Sequence, residues 1–282
     1  MPTVVWPFAL GALAALIALI AASRREVVLA LLLPMAALVA YILLEGTPIF
    51  PPVAAKQKLP FLLAFVGVTS AFAAAKGQGP FGRIAFAVLA TVVSIGWIGQ
   101  TVVLGQLTST KAHFAEVFGA VGILGLISAA ASANANAPAS VMTAAACLWW
   151  AVAAAIASVL APYVGAAQVL GAWAAILGGF LFVGYLAGLF GRADGMALQG
   201  FAGLAAVWTT LLLALMPLLF AGEISRSSIV IGALAPIFAA FAQARGWTGP
   251  NGAPAPMRPI LLGLVAAVPA FIAAAAAGMR WT

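Results

Sequence analysis

Between Glu116 and Arg192 the chain carries no charged side chain at all. A stretch of that length facing water could not do without charge. Soluble domains average about 25% charged residues. Here the 282-residue chain holds 6% charged against 66% hydrophobic residues, with a mean hydropathy of +1.20. So few charges cannot cover a water-facing surface, which excludes a soluble globule. Disorder is excluded too, because it requires low hydrophobicity. Lipid is the remaining solvent. In a hydrocarbon core about 30 Å thick the backbone must satisfy its own amides, which leaves helices or closed barrels. The apolar runs lack the alternation of short barrel strands. The expected fold class is all-α: one polytopic transmembrane helix bundle of about ten spans, with no soluble domain.

A requirement of roughly 20 apolar residues per crossing places the spans at Val4–Ala22, Val27–Leu44, Leu59–Ala75, Ile84–Gly105, Phe114–Ala133, Ser140–Leu160, Ala166–Phe190, Ala197–Ala221, Ser228–Gln243 and Ile260–Met279. The breaks are chemically clear. Ser23 to Glu26 allows only a tight helical hairpin, Pro48, Pro51 and Pro52 follow the second span, and Lys76 to Pro80 separates the third from the fourth. Proline has no N–H with which to continue a helix. No connection is long enough to fold separately. Met1-Pro2-Thr3 has no basic lead-in, so the first span reads as a retained helix rather than a cleaved signal.

The net charge of +7 does not point to nucleic acid. The basic residues stand singly or in pairs at the ends of apolar runs, where they meet anionic head groups and set orientation. The expected partner is the bilayer. Arg24 and Arg25 follow the first span with no basic residue before it, which favours an N-terminus outside. The full tally is close: Arg24, Arg25, Lys76, Arg83, Arg192, Arg245 and Arg258 on one side, with Lys56, Lys58, Lys111, Arg226 and Arg280 assigned to the other. Ala, Gly and Pro are abundant and Arg outnumbers Lys, a composition of high-GC bacterial genomes, so the expected location is the bacterial inner membrane.

Small residues let helices approach in lipid. Gly119, Gly122 and Gly125 mark one close-contact stripe; Gly184 and Gly188 mark another, for internal packing or for a membrane-protein partner. Trp97, Trp149, Trp150, Trp173 and Trp208 fall deep within spans, where indoles fill space between helices.

Ionisable groups in a bilayer are costly and invite a functional reading, yet all five acids lie near span ends. Glu26 and Glu116 open spans, where the helix dipole favours an anion, and Asp194 has Arg192 close by. Glu45 and Glu223 close spans, against the dipole, and Glu223 has Arg226 to pair with. Glu45 is therefore the leading coupling or gating candidate, with His113 and Glu116, three residues apart and able to meet on one helix face, as a second. Gln100, Asn134, Asn136 and Gln168 are the candidate substrate contacts, since amides offer donors and acceptors and suit a neutral or zwitterionic solute.

One histidine and the distant Cys147 cannot make a metal site, and no cofactor is expected. Phosphate-binding, dinucleotide, HExxH and GxSxG motifs are absent. The expected function is a transporter or permease for a small neutral or zwitterionic solute. An accessory or scaffold subunit of a larger membrane complex is the alternative. A membrane enzyme comes third, since it would need two of Glu45, His113, Glu116 and Glu223 close together.

Overall fold

A computed structural model describes residues 2–104, 141–190, 198–220, 224, 226–244 and 257–279. Of these, 88% are α-helical and none forms a strand. The helices are α1 (Pro2–Ile20), α2 (Arg25–Glu45), α3 (Ala55–Ala75), α4 (Pro80–Leu104), α5 (Val141–Leu160), α6 (Val164–Leu189), α7 (Gly200–Phe220), α8 (Arg226–Ala244) and α9 (Arg258–Gly278). Seven of them are long and apolar enough to cross a membrane; the apolar parts of α1 and α8, Val5–Ile20 and Ser227–Ala239, are shorter. The expected span Phe114–Ala133, with its glycine stripe, lies outside the described residues.

The outer surface carries the same message. Leu13, Leu16, Phe72, Val92, Phe182 and Phe271, spread over five helices, are each about half exposed or more. In water such a coat would be an aggregation surface; in lipid it is the solvated face. The interior is built largely of alanine, with Trp150, Trp173, Trp208 and Phe180 filling the gaps. At the centre stands α7, 94% buried over its apolar window, ringed by α2 to α6 and α8.

Prolines inside helices explain how α2 and α3 are joined. Pro34 has no N–H, so the carbonyl four residues earlier, on Ala30, loses its helical donor. The Ser70 hydroxyl of α3 lies 3.1 Å from that oxygen, while also reaching Val66 and Gly67 carbonyls of its own helix. Pro60 in α3 frees the Lys56 carbonyl in the same way, and there the Tyr41 hydroxyl of α2 donates at 2.8 Å. Each helix thus caps the proline gap of the other, the exchange that makes proline tolerable in lipid. Replacing Ser70 by Ala is expected to destabilise by about 1 kcal/mol, the usual worth of such a bond within membranes. In a Pro34→Ala background, where Ala30 regains a donor, the loss should shrink. Unfolding of the four proteins in detergent reads the coupling; equal losses in both backgrounds would refute the cap.

The α1–α6 crossing is closer still. A Cβ on Gly11 would overlap the Ile176 carbonyl oxygen, and one on Gly179 would overlap that of Phe8. On α6 this backbone contact is made by Gly179; Gly184, five residues on, is buried and Gly188 half-buried.

Candidate functional site

The two acids of α2 sit at its opposite ends. Nineteen residues at about 1.5 Å each separate them by roughly the thickness of the hydrocarbon core. Each meets the start of another helix. Glu26 Oε1 accepts the Phe201 N–H at 2.7 Å, in the first turn of α7. Gly200, at φ +52°, leaves room for that carboxylate, since a Cβ there would overlap it. The Phe201 ring lies edge-on to Phe86 at 5.9 Å and beneath the Arg83 guanidinium at 6.0 Å. This end is a structural clasp for the central helix, in keeping with the dipole argument for Glu26.

Glu45 closes α2 unfavourably with respect to its own dipole, but its Oε1 lies against Gly165, in the first turn of α6. The positive end of the neighbouring helix supplies what α2 denies. Tyr163, just before α6, has its phenol pushed up by burial and then by the Glu45 carboxylate. With Tyr41 and Tyr185 replaced by Phe, Tyr163 alone titrates as a phenol. Glu45→Gln should then lower its midpoint part of the way towards 10, because burial remains. An unchanged ultraviolet titration would show that Glu45 does not act on Tyr163.

The same end holds a group that sequence reasoning misplaced. Lys58 was expected in a loop. It lies instead within α3 and is only 4% exposed. The helix begins before the apolar run because the Gln57 side-chain carbonyl accepts the N–H groups of Val53 and Ala54, both at 3.0 Å. That capping starts the helix at Ala55 and carries Lys58 into the packed layer between α3 and α4. Its ammonium donates to the Trp97 carbonyl of α4 at 2.8 Å. Two of its three N–H groups have no acceptor among the described residues, and no carboxylate there lies within ion-pair distance. The Trp97 ring stands 6.1 Å from Phe61, which in turn is 6.4 Å from Phe50. Ser94, one turn earlier on α4, is buried with its hydroxyl unpartnered.

The first turn of α3 is thus held twice, by Tyr41 on the α2 side and through Lys58 on the α4 side. Of the residues expected at the site, Glu45 is half-buried beside Tyr163 and Gly165. The Gln168 side chain is exposed one turn into α6, and the Gln100 main chain lies in α4 three residues beyond Trp97. His113, Glu116, Asn134 and Asn136 lie outside the described residues, as do Asp194 and Glu223. Cys147 is fully buried, and no cluster of three metal-ligating side chains occurs among the described residues.

No protein-family model, no curated protein and no solved structure matches this chain. The described residues are helical with no strand, and their long apolar helices and apolar outer face suggest a membrane-embedded protein, with a buried cation at one end of the bundle.

Proposed function

We propose that the chain is a multi-pass permease for a small neutral or zwitterionic solute, with about ten spans, in the bacterial inner membrane. The observation that carries the reading is Lys58: a buried ammonium with two donors unfilled among the described residues, beside aromatic rings, in a bundle otherwise poor in intramembrane charge. Structural lysines near a membrane surface usually extend to water. Buried polar groups at membrane depth commonly lie on substrate paths. Gln100, Asn134, Asn136 and Gln168 are the proposed neutral contacts. Glu45 is the proposed coupling residue, with His113 and Glu116 as a second gating pair. Movement of α3 and α4 at the Lys58 end, against the fixed α7, would alternate access.

Uptake into proteoliposomes carrying the pure chain tests this. Flux of at least one amino acid or neutral metabolite above empty vesicles is expected, and any amino-acid flux should fall about tenfold or more in Lys58→Gln. A broad panel without flux would refute it.

A second reading, an accessory subunit of a larger complex, is favoured by two open apolar grooves on the outer surface. One of about 350 Å³ lies between α5, α6 and α9, and one of about 390 Å³ between α5 and α6. A stoichiometric membrane-protein partner retained on gentle extraction would favour it; Gly184 and Gly188, and the stripe Gly119, Gly122 and Gly125, are then proposed contact faces.

A further inference from the structure

We propose that Lys58 forms a carboxylate-recognition site, so that the solute is one with a carboxylate on an apolar body, and that its binding unlatches α4 from α3. The inference deepens the permease reading and rests on it for the word solute; the site itself does not depend on flux.

A buried ammonium is expensive unless something compensates it. Among the described residues the compensation is a single neutral carbonyl, that of Trp97, at 2.8 Å. A carboxylate is a stronger acceptor for an ammonium than a carbonyl, because the bond is then between opposite charges. An incoming carboxylate therefore competes for Lys58 on favourable terms and fills the donors the carbonyl leaves over. Ser94 supplies a buried hydroxyl about 4.5 Å along α4 from Trp97, itself without a partner. The apolar remainder of the ligand has Phe61 and Trp97 to lie against. Carboxylates without such a body, acetate for example, gain nothing from the rings and should bind more weakly.

The same geometry ties recognition to movement. Among the described helices α4 packs chiefly on α3 and α7, and the Lys58 to Trp97 bond is a polar tie between α4 and α3. When the ammonium turns to a ligand, that tie is lost and the Trp97 end of α4 is free to part from α3.

The test uses the full chain in nanodiscs and equilibrium dialysis with radiolabelled leucine and phenylalanine, against leucinamide and phenylalaninamide. The acids should bind and the amides should bind at least tenfold more weakly, a comparison that needs no variant. Lys58→Gln should weaken acid binding tenfold to a hundredfold, and Lys58→Arg should retain most of it. Equal binding of acid and amide, unchanged acid binding in Lys58→Gln, or no binding of any carboxylate would overturn the site. Acid binding without flux would sink the permease reading and leave the site standing. Flux of uncharged solutes that is undiminished in Lys58→Gln would do the reverse.

Discussion

Valine at Gly179 will detach α1 from α6. The contact at this crossing is backbone against backbone: the Cβ position of Gly179 falls on the Phe8 carbonyl oxygen and also within 3.0 Å of the Ala12 nitrogen. Neither atom can turn aside as the end of a side chain could. Reciprocally, Gly11 abuts the main chain of Ile176, so the two helices meet through one glycine on each, the two contacts lying about a turn apart. In lipid there is no hydrophobic force to restore the contact, since tails are as apolar as the side chains. Forcing atoms into a packed interface costs about 1–3 kcal/mol where neighbours can give, and more where they cannot. A loss of about 3 kcal/mol or more is expected for Gly179→Val or Gly11→Val. Gly171→Val, on the same helix where a Cβ meets nothing within 4 Å, should be nearly silent. Thermal unfolding in detergent separates them; equal behaviour of Gly179 and Gly171 would contradict the crossing.

Removal of the Glu26 carboxylate is the second large effect. The Phe201 N–H is one of the orphan donors at the start of α7, the helix on which most of the others pack. Its acceptor is a charged oxygen at 2.7 Å, and hydrogen bonds to charged groups are worth about 1.5–3 kcal/mol. Glu26→Ala should cost about 2 kcal/mol. Glu26→Gln keeps an acceptor but not the charge, and should cost about half as much. Gly200→Ala should resemble Glu26→Ala, because it both strains a residue at φ +52° and displaces the carboxylate. Unfolding midpoints in one detergent rank the three. A neutral Glu26→Ala would mean that α7 is capped by something else.

These effects show where sequence reasoning reaches and where it stops. Helix and lipid were legible because they depend on local composition: the charge-free run from Val117 to Gly191 admits no other solvent. Glu26 was legible only as an acid favoured at the start of its own helix; its capping of α7 through the Phe201 N–H was not. Glu45 looked ill-placed because only its own helix was visible; the compensating start of α6 lies more than a hundred residues away. The exchange of Tyr41 and Ser70 across two prolines could not be read either, although a signal existed. A proline within a span always strands the carbonyl four residues before it, and a hydroxyl on the next helix is the natural donor. Lys58 was missed because the span was started at the first unbroken apolar run, at Leu59. Gln57, an amide able to cap from the third helical position, could have moved that start back by a turn.

The central claim is that lipid surrounds these helices, so that the two ends of α2 face opposite compartments. Ser23 and Thr47 are exposed just beyond those ends, and Cys147, the one native thiol, is fully buried. Single cysteines at Ser23 and Thr47, in a Cys147→Ala background, can be probed in sealed vesicles with a membrane-impermeant maleimide. Reagent added outside should label one position and not the other, and both should react once the membrane is opened. Labelling of both from the same side of an intact membrane would contradict the claim.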